Sequence, residues 1–425
     1  MAVRHRLIVV TFTLSMLLYI DRIAISTAKD PIVGAFQLTD TQFGWVMSAF
    51  ALGYALFQAP AGLLADRLGP RVVLAGLVGV WSIFTGLTAL AWGLGSLLAI
   101  RFLFGAAEAG AFPSCARAFY MWLPTGERGF AQGMNFSGSR LGSAFALPAV
   151  AALIAFAGWR EAFLILAVVG IAWAAGWFLW FRDRPEDHKG VSATEREHIV
   201  AHRGARALDK ARPEELREVF RQPNIWLAMV QYFASNFTFF FCLTWLYPHL
   251  QRTYGLDPVE TGLFAALPLI GGACGSWVSG ALVDLLYRRG HGQASRRIPA
   301  IVGFLLAAGG LGASLAFHTP VPAVLCLTVA VFGADMTLPP SWAYCIDIGK
   351  SNAGAVSGSM NMAGNIGSFV TSLAFPYLLA MTGSTTPFFI TAILLNLAAV
   401  AAWLRMEGAR PTGASATLRA SASTP

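Results

Sequence analysis

Apolar residues run along this chain in long blocks separated by short polar breaks. A membrane-crossing helix needs roughly 20 mainly apolar residues. Twelve such blocks can be marked, near residues 7–27, 41–64, 71–92, 95–121, 129–157, 161–181, 223–249, 259–285, 298–318, 321–347, 353–381 and 386–405. One polar interval is long: residues 182–222 hold ten Lys/Arg and nine Asp/Glu, a mixture that belongs in water. The pattern predicts an all-α membrane protein with twelve transmembrane helices in two six-helix bundles. Residues 1–181 would form the first bundle and 223–406 the second. Residues 182–222 would be a charged cytoplasmic linker with some surface helix, and the Ala/Ser/Thr-rich stretch 407–425 a disordered cytoplasmic tail. The first block has no small-residue cleavage site behind it, so it reads as a retained span.

Composition agrees with the pattern. Of 425 residues, 56% are hydrophobic and 12% charged, against about 25% charged in an ordinary soluble domain; mean hydropathy is +0.60. These values exclude a soluble enzyme, a disordered chain and a nucleic-acid-binding domain. The net charge of +8 does not point to nucleic acid either. With both termini in the cytoplasm, 23 of the 30 Lys/Arg fall on cytoplasmic segments, so the basic balance is topology. An integral multi-pass protein of a bacterial-type inner membrane is expected, with the lipid bilayer as its surroundings. The five cysteines lie in apolar runs without CxxC spacing, which argues against a disulfide framework or zinc site. No Walker pattern occurs, so ATP is not the energy source. No cofactor and no metal are expected.

The halves repeat each other. At an offset of 218, Gly44, Gly53, Gly62, Asp66 and Arg71 fall on Gly262, Gly271, Gly280, Asp284 and Arg289. At 227, Glu108, Pro113 and Ser114 fall on Asp335, Pro340 and Ser341; at 225, Gly133, Gly142 and Ser143 fall on Gly358, Gly367 and Ser368. Two pseudo-symmetric bundles around a midplane site are a transporter plan. Gly62-Leu-Leu-Ala-Asp66-Arg67-Leu-Gly69-Pro-Arg71 resembles the loop between spans 2 and 3 of the major facilitator superfamily. Tyr19-Ile-Asp21-Arg22, Arg101-Phe-Leu-Phe-Gly105-Ala-Ala-Glu108 with Pro113, and Tyr54…Gln58-Ala-Pro60 resemble the anion:cation symporter branch of that superfamily. Trp245-Leu, Ser341-Trp342 and Asn361…Gly364-Asn365 fit as well. The resemblance covers the whole chain. It implies a proton- or cation-driven carrier of organic anions, including sugar acids, hexuronates, sialic acid and aromatic acids.

Ionisable groups inside spans are costly and usually have a task. Asp21 and Arg22 lie about 22 Å along a helix starting near residue 6. Arg101 and Glu108 are seven residues apart and share a helix face. The resemblance assigns Asp21, Glu108 and Arg101 to proton coupling; permanent ion pairs holding helices together are the bland alternative. A substrate carboxylate arriving at Arg22 would compete with Asp21 for that cation and favour protonation. The Arg22 fork suits a carboxylate, and Tyr19 and Tyr54 would donate hydroxyl hydrogen bonds to the same substrate, or simply pack. Arg140 departs from the family, where span 5 commonly carries a neutral polar residue. It is read either as a second substrate cation, favouring a dianion, or as the partner of Asp335 across the halves. Asp335 as a second proton carrier stays open. Trp342, Ser341, Asn361 and Asn365 would bind substrate hydroxyls or a flat face, with Asn236 and Trp245 beside them; helix–helix hydrogen bonding is the alternative for each. Asp66, Arg67, Arg71 and Arg117 are expected to form a cytoplasmic gate, with Arg117 paired to Asp66.

The expectation is a secondary active transporter that imports an organic anion (a sugar acid, other carboxylate or aromatic acid) with protons, or sodium, by alternating access. A sugar-phosphate or organic-anion antiporter is the alternative. A membrane sensor or enzyme would need a catalytic grouping or soluble domain that the sequence lacks, and a passive channel fits two joined halves poorly. One chain contains both halves, so a monomer is expected.

Overall fold

The computed structural model describes residues 2–203, 213–256 and 258–407, so the expected tail lies outside the described residues from 408 onward. The chain is helical, with no strand among the described residues. In the first half, α1 (Val3–Thr27) is followed by the short α2 (Lys29–Phe36), then α3 (Asp40–Leu68), α4 (Pro70–Ala89), α5 (Leu94–Glu108), α6 (Ala111–Trp122), α7 (Arg128–Ala157) and α8 (Trp159–Trp180). The linker carries α9 (Ala193–His202) and α10 (Pro213–Arg221). The second half holds α11 (Pro223–Thr244), α12 (Leu246–Tyr254), α13 (Pro258–Arg288), α14 (Ala294–Ser314), α15 (Pro320–Met336), α16 (Leu338–Gly349), α17 (Ala353–Thr382) and α18 (Thr386–Arg405).

Ten helical stretches are long and apolar enough to cross a membrane, and one of them, Pro320–Thr382, is 63 residues long and holds two crossings. The helix α7, with Pro148 inside it, completes the twelve. Local chemistry sets the boundaries. Thr39 accepts from the Gln42 N–H while the Gln42 side chain accepts from the Thr39 N–H, a capping box that starts α3. Gly69, at φ +88°, turns the chain in the left-handed region, and Pro70 then opens α4. The carboxylate of Glu195 in α9 accepts from the Val3 and Arg4 N–H groups, so the linker caps the start of α1.

Two spans are not the continuous helices expected from the sequence. Span 4 breaks between Glu108 and Ala111, and span 10 breaks at Thr337. At the offset of 227 these breaks coincide, and Glu108 and Asp335 stand at the ends of the two upper segments. Span 7 ends at Thr244, and the chain continues past Trp245 as α12.

The halves meet along α3 with α17 and along α7 with α13. These contacts gather at the end of the molecule that carries the linker. A Cβ on Gly62 would strike the Gly354 carbonyl, and one on Gly133 would come within 2.5 Å of the Ser276 carbonyl, so the backbones touch across the halves. Gly44 and Gly262, at the opposite ends of α3 and α13, have nothing near them. The structure is therefore closed on the linker side.

Candidate functional site

Between the halves lies a cavity lined by Tyr19, Arg22, Tyr54, Arg140, Asn361 and Asn365, together with Tyr232, Asn236 and several phenylalanines. Its free volume is about 40 Å³, space for a few waters. Six of the eight side chains expected to bind substrate thus come together on its wall. Trp342 and Ser341 do not. Both are fully buried. Trp342 donates from its indole nitrogen to the Tyr232 hydroxyl at 2.7 Å and packs on Phe112 and Phe136. Ser341 donates to the Gln231 side chain and the Thr337 carbonyl. They are a second layer that holds Tyr232 and the broken span 10 in place. Asn365 donates to the Asn361 carbonyl at 2.8 Å, so the two share the face expected of them.

The charges behind the cavity form two groups. In the first, Arg22 Nε donates to Glu108 Oε2 at 2.6 Å, joining α1 to the end of α5. The Arg22 guanidinium lies over the rings of Tyr54 at 4.2 Å, Tyr19 at 4.9 Å and Phe50 at 5.1 Å, a cation–π cage. Asp21 is not the partner of Arg22. Neighbouring helical residues point about 100° apart, and Asp21 turns to α4, where it accepts from the Trp81 indole at 3.2 Å. Its second oxygen is buried without a hydrogen bond among the described residues. Arg101 is buried beside Phe50 and Phe104 and within electrostatic reach of both Asp21 and Glu108. The carboxylate paired with Arg22 is therefore Glu108 and not Asp21.

In the second group, Arg140 donates to Asp335 through two parallel bonds of 2.7 Å, from Nε and a terminal nitrogen. This fork-to-fork pair crosses from α7 in the first half to α15 in the second, and a face of Arg140 rests on Phe239 at 3.5 Å. The geometry joins the two readings of Arg140, because it pairs with Asp335 and lines the cavity.

Of the four expected gate residues, Asp66 and Arg117 meet as expected, and Arg67 and Arg71 stand apart. Asp66 accepts from the Gly354 and Ala355 N–H groups at 2.9 and 2.7 Å, at the start of α17 in the other half, with Arg117 Nε at 3.7 Å. Asp284, its repeat counterpart, accepts from the Gly129 and Phe130 N–H groups at the start of α7. Both place a carboxylate on a helix N-terminus, where backbone donors and the helix dipole favour it. Arg67 is exposed and outside this contact. Arg71 stays within its own half: its side chain donates to the Phe178 carbonyl and its backbone N–H to Asp183. Burial raises the Asp183 carboxyl above its ordinary range.

Tyr232, Ser235, Phe112, Phe136 and Leu338 line the cavity without having been singled out in the sequence. Helical phasing carries the signal for two of them: Tyr232 is one turn before Asn236, and Phe136 one turn before Arg140. Trp81 had no signal, since nothing in its own span marks it as the partner of Asp21.

A family model described as Major Facilitator Superfamily matches residues 11–372. The chain is 37% identical to a probable sulfoacetate transporter, SauU, of Cupriavidus necator over 94% of this chain and 93% of that one. It is 30% identical to a probable L-galactonate transporter of Escherichia coli, over 90% and 84% of the two chains. Among solved structures, FucP in an outward conformation superposes with a TM-score of 0.71 at 14% identity, covering 94% of this chain and 98% of that one; this likeness is one of fold.

Proposed function

The chain belongs to the major facilitator superfamily of integral multi-pass membrane transporters and is not an enzyme; from that premise we propose that it carries an organic anion inward together with protons, by alternating access. The observation that carries this reading is Arg22 on the cavity wall, paired with the buried Glu108 behind it. A substrate carboxylate takes the Arg22 fork, whose charge is permanent. Glu108 then loses its counterion in a site of low dielectric, where an unpaired carboxylate is costly, and a proton neutralises it. Asp21 and Arg101 stand behind this pair and complete the path. With substrate bound and Glu108 neutral, the halves rock, the linker side opens, and proton and anion leave together. Both termini and the linker would then face the cytoplasm of a bacterial-type inner membrane. The names of the relatives, a probable sulfoacetate and a probable L-galactonate transporter, agree with an anionic substrate bearing a carboxylate. A phosphate clamp with one arginine per half does not suit the cavity, since Arg22 and Arg140 both belong to the first half.

The test is uptake by purified protein in liposomes holding a pH-sensitive dye, offered a panel of sugar acids, aromatic acids, two-headed acids and sugar phosphates. Acidification inside with one acid supports the reading. Exchange of phosphate for sugar phosphate, with no response to any carboxylate, overturns it.

A further inference from the structure

We propose that Arg140 and Asp335 are a second anion seat in the same cavity, with Asp335 standing in for one end of a substrate that carries two acidic groups; this rests on the transport reading above. Asp335 already shows how an acid sits there, held bidentate on the guanidinium at 2.7 Å. The seat is built on all sides. Phe239 backs the guanidinium, and Gly272 on α13 makes room for Asp335, since a Cβ at that position would strike its carboxylate. The titratable neighbours are Tyr232 and Cys242 from α11 and Tyr19 from α1. Cys274 is the lone titratable residue of α13 between Thr261 and Val283, and α14 has none between Ile298 and Ser314.

The register of α1 against α7 places the two arginines within reach of one small molecule. Gly138 faces Phe12 and Gly142 faces Met16, so the helices run parallel and Arg140 stands level with Leu14. Arg22 is eight residues further on, about 12 Å along the axis. Tyr19 lies between, near both cations.

Two consequences follow from charge and connectivity. The groups around the cavity are three arginines (22, 101 and 140) and three carboxylates (Asp21, Glu108 and Asp335), formally neutral. An acid with two anionic ends displaces Glu108 from Arg22 and Asp335 from Arg140. Two protons, one on each freed carboxylate, restore neutrality. The Arg140–Asp335 pair also ties one half to the other. An acid with one head leaves that tie closed, and an acid with two heads opens it.

The experiment compares D-galactonate with galactarate, which share a six-carbon chain and hydroxyls but carry one and two carboxylates, with sulfoacetate as a shorter two-headed acid. Uptake and proton flux are measured with the full-length protein in liposomes. The expected result is two protons per two-headed acid and a kcat/KM at least tenfold above that of galactonate. The double variant Arg140→Gln/Asp335→Asn removes both charges together, so no unpaired charge remains buried. It should move to one proton per acid and lose the tenfold preference. A wild-type preference for galactonate, measurable whether or not the variant folds, overturns the inference. So does a variant that keeps two protons and the preference. One proton per acid for galactonate and galactarate alike, in both proteins, leaves the transport reading standing and removes only this one; no uptake of any acid removes both.

Discussion

Replacing Asp66 by Asn should open the linker side of the molecule. Asp66 accepts two N–H groups at the start of α17, at 2.9 and 2.7 Å, with one oxygen each. Asparagine keeps one acceptor and turns an NH2 group toward the other donor. The loss is one charge-assisted hydrogen bond, worth about 1.5–3 kcal/mol, and the negative charge at a helix N-terminus, worth up to ~2 kcal/mol when partly buried. Together these come to roughly 3 kcal/mol of contact made across the halves in the closed arrangement. At about 1.4 kcal/mol per tenfold, the ratio of open to closed forms rises about a hundredfold. Arg67 and Arg289 are exposed, the first in the linker-side end of α3 and the second just past that of α13, one in each half. Spin labels on cysteines at these two positions, in a background lacking the five native cysteines, would report the separation by pulsed electron resonance. The Asp66→Asn protein should gain a long-distance population that the parent lacks. An unchanged distance distribution would mean that the helix-capping contact contributes nothing to closure.

Other outcomes follow from the same geometry. Arg22→Ala removes the guanidinium from the aromatic cage and the cavity wall, and equilibrium binding of the transported acid should weaken by at least tenfold; near-normal affinity would move the carboxylate grip to another cation. Gly105→Leu forces a side chain into the Phe50 carbonyl on α3. Overpacking of this kind costs about 1–3 kcal/mol or more, so thermal unfolding in detergent should fall by several degrees, and an unchanged transition would mean that α3 and α5 can separate freely.

The blocks of apolar residues made the twelve spans legible, because burial in lipid requires long uninterrupted runs. Offsets near 218 to 227 made the repeat legible too, and with it the counterparts Glu108 and Asp335 and the counterparts Asp66 and Asp284. Side-chain direction was harder to read. Asp21 and Arg22 are adjacent in sequence, yet one faces Trp81 and the other Glu108, and only the packing of α4 and α5 around α1 decides which. Ser341 and Trp342 resemble binding residues by type, but the break at Thr337 turns them behind Tyr232. Arg71 carries the motif, but its nearest acceptors are on α8 and in the linker and not across the halves. Sequence spacing fixes which residues share a helix face, while the partner helix that each face meets is a property of the assembled bundle.

We propose that Glu108 carries the proton once Arg22 turns to the substrate. The measurement is transport by Glu108→Gln protein in liposomes, read two ways: accumulation of the preferred acid driven by an inward proton gradient, and exchange of labelled for unlabelled acid at equal pH. Glutamine is neutral and cannot cycle a proton, so accumulation should vanish while exchange persists. Accumulation equal to that of the wild type would mean that Glu108 does not carry the proton.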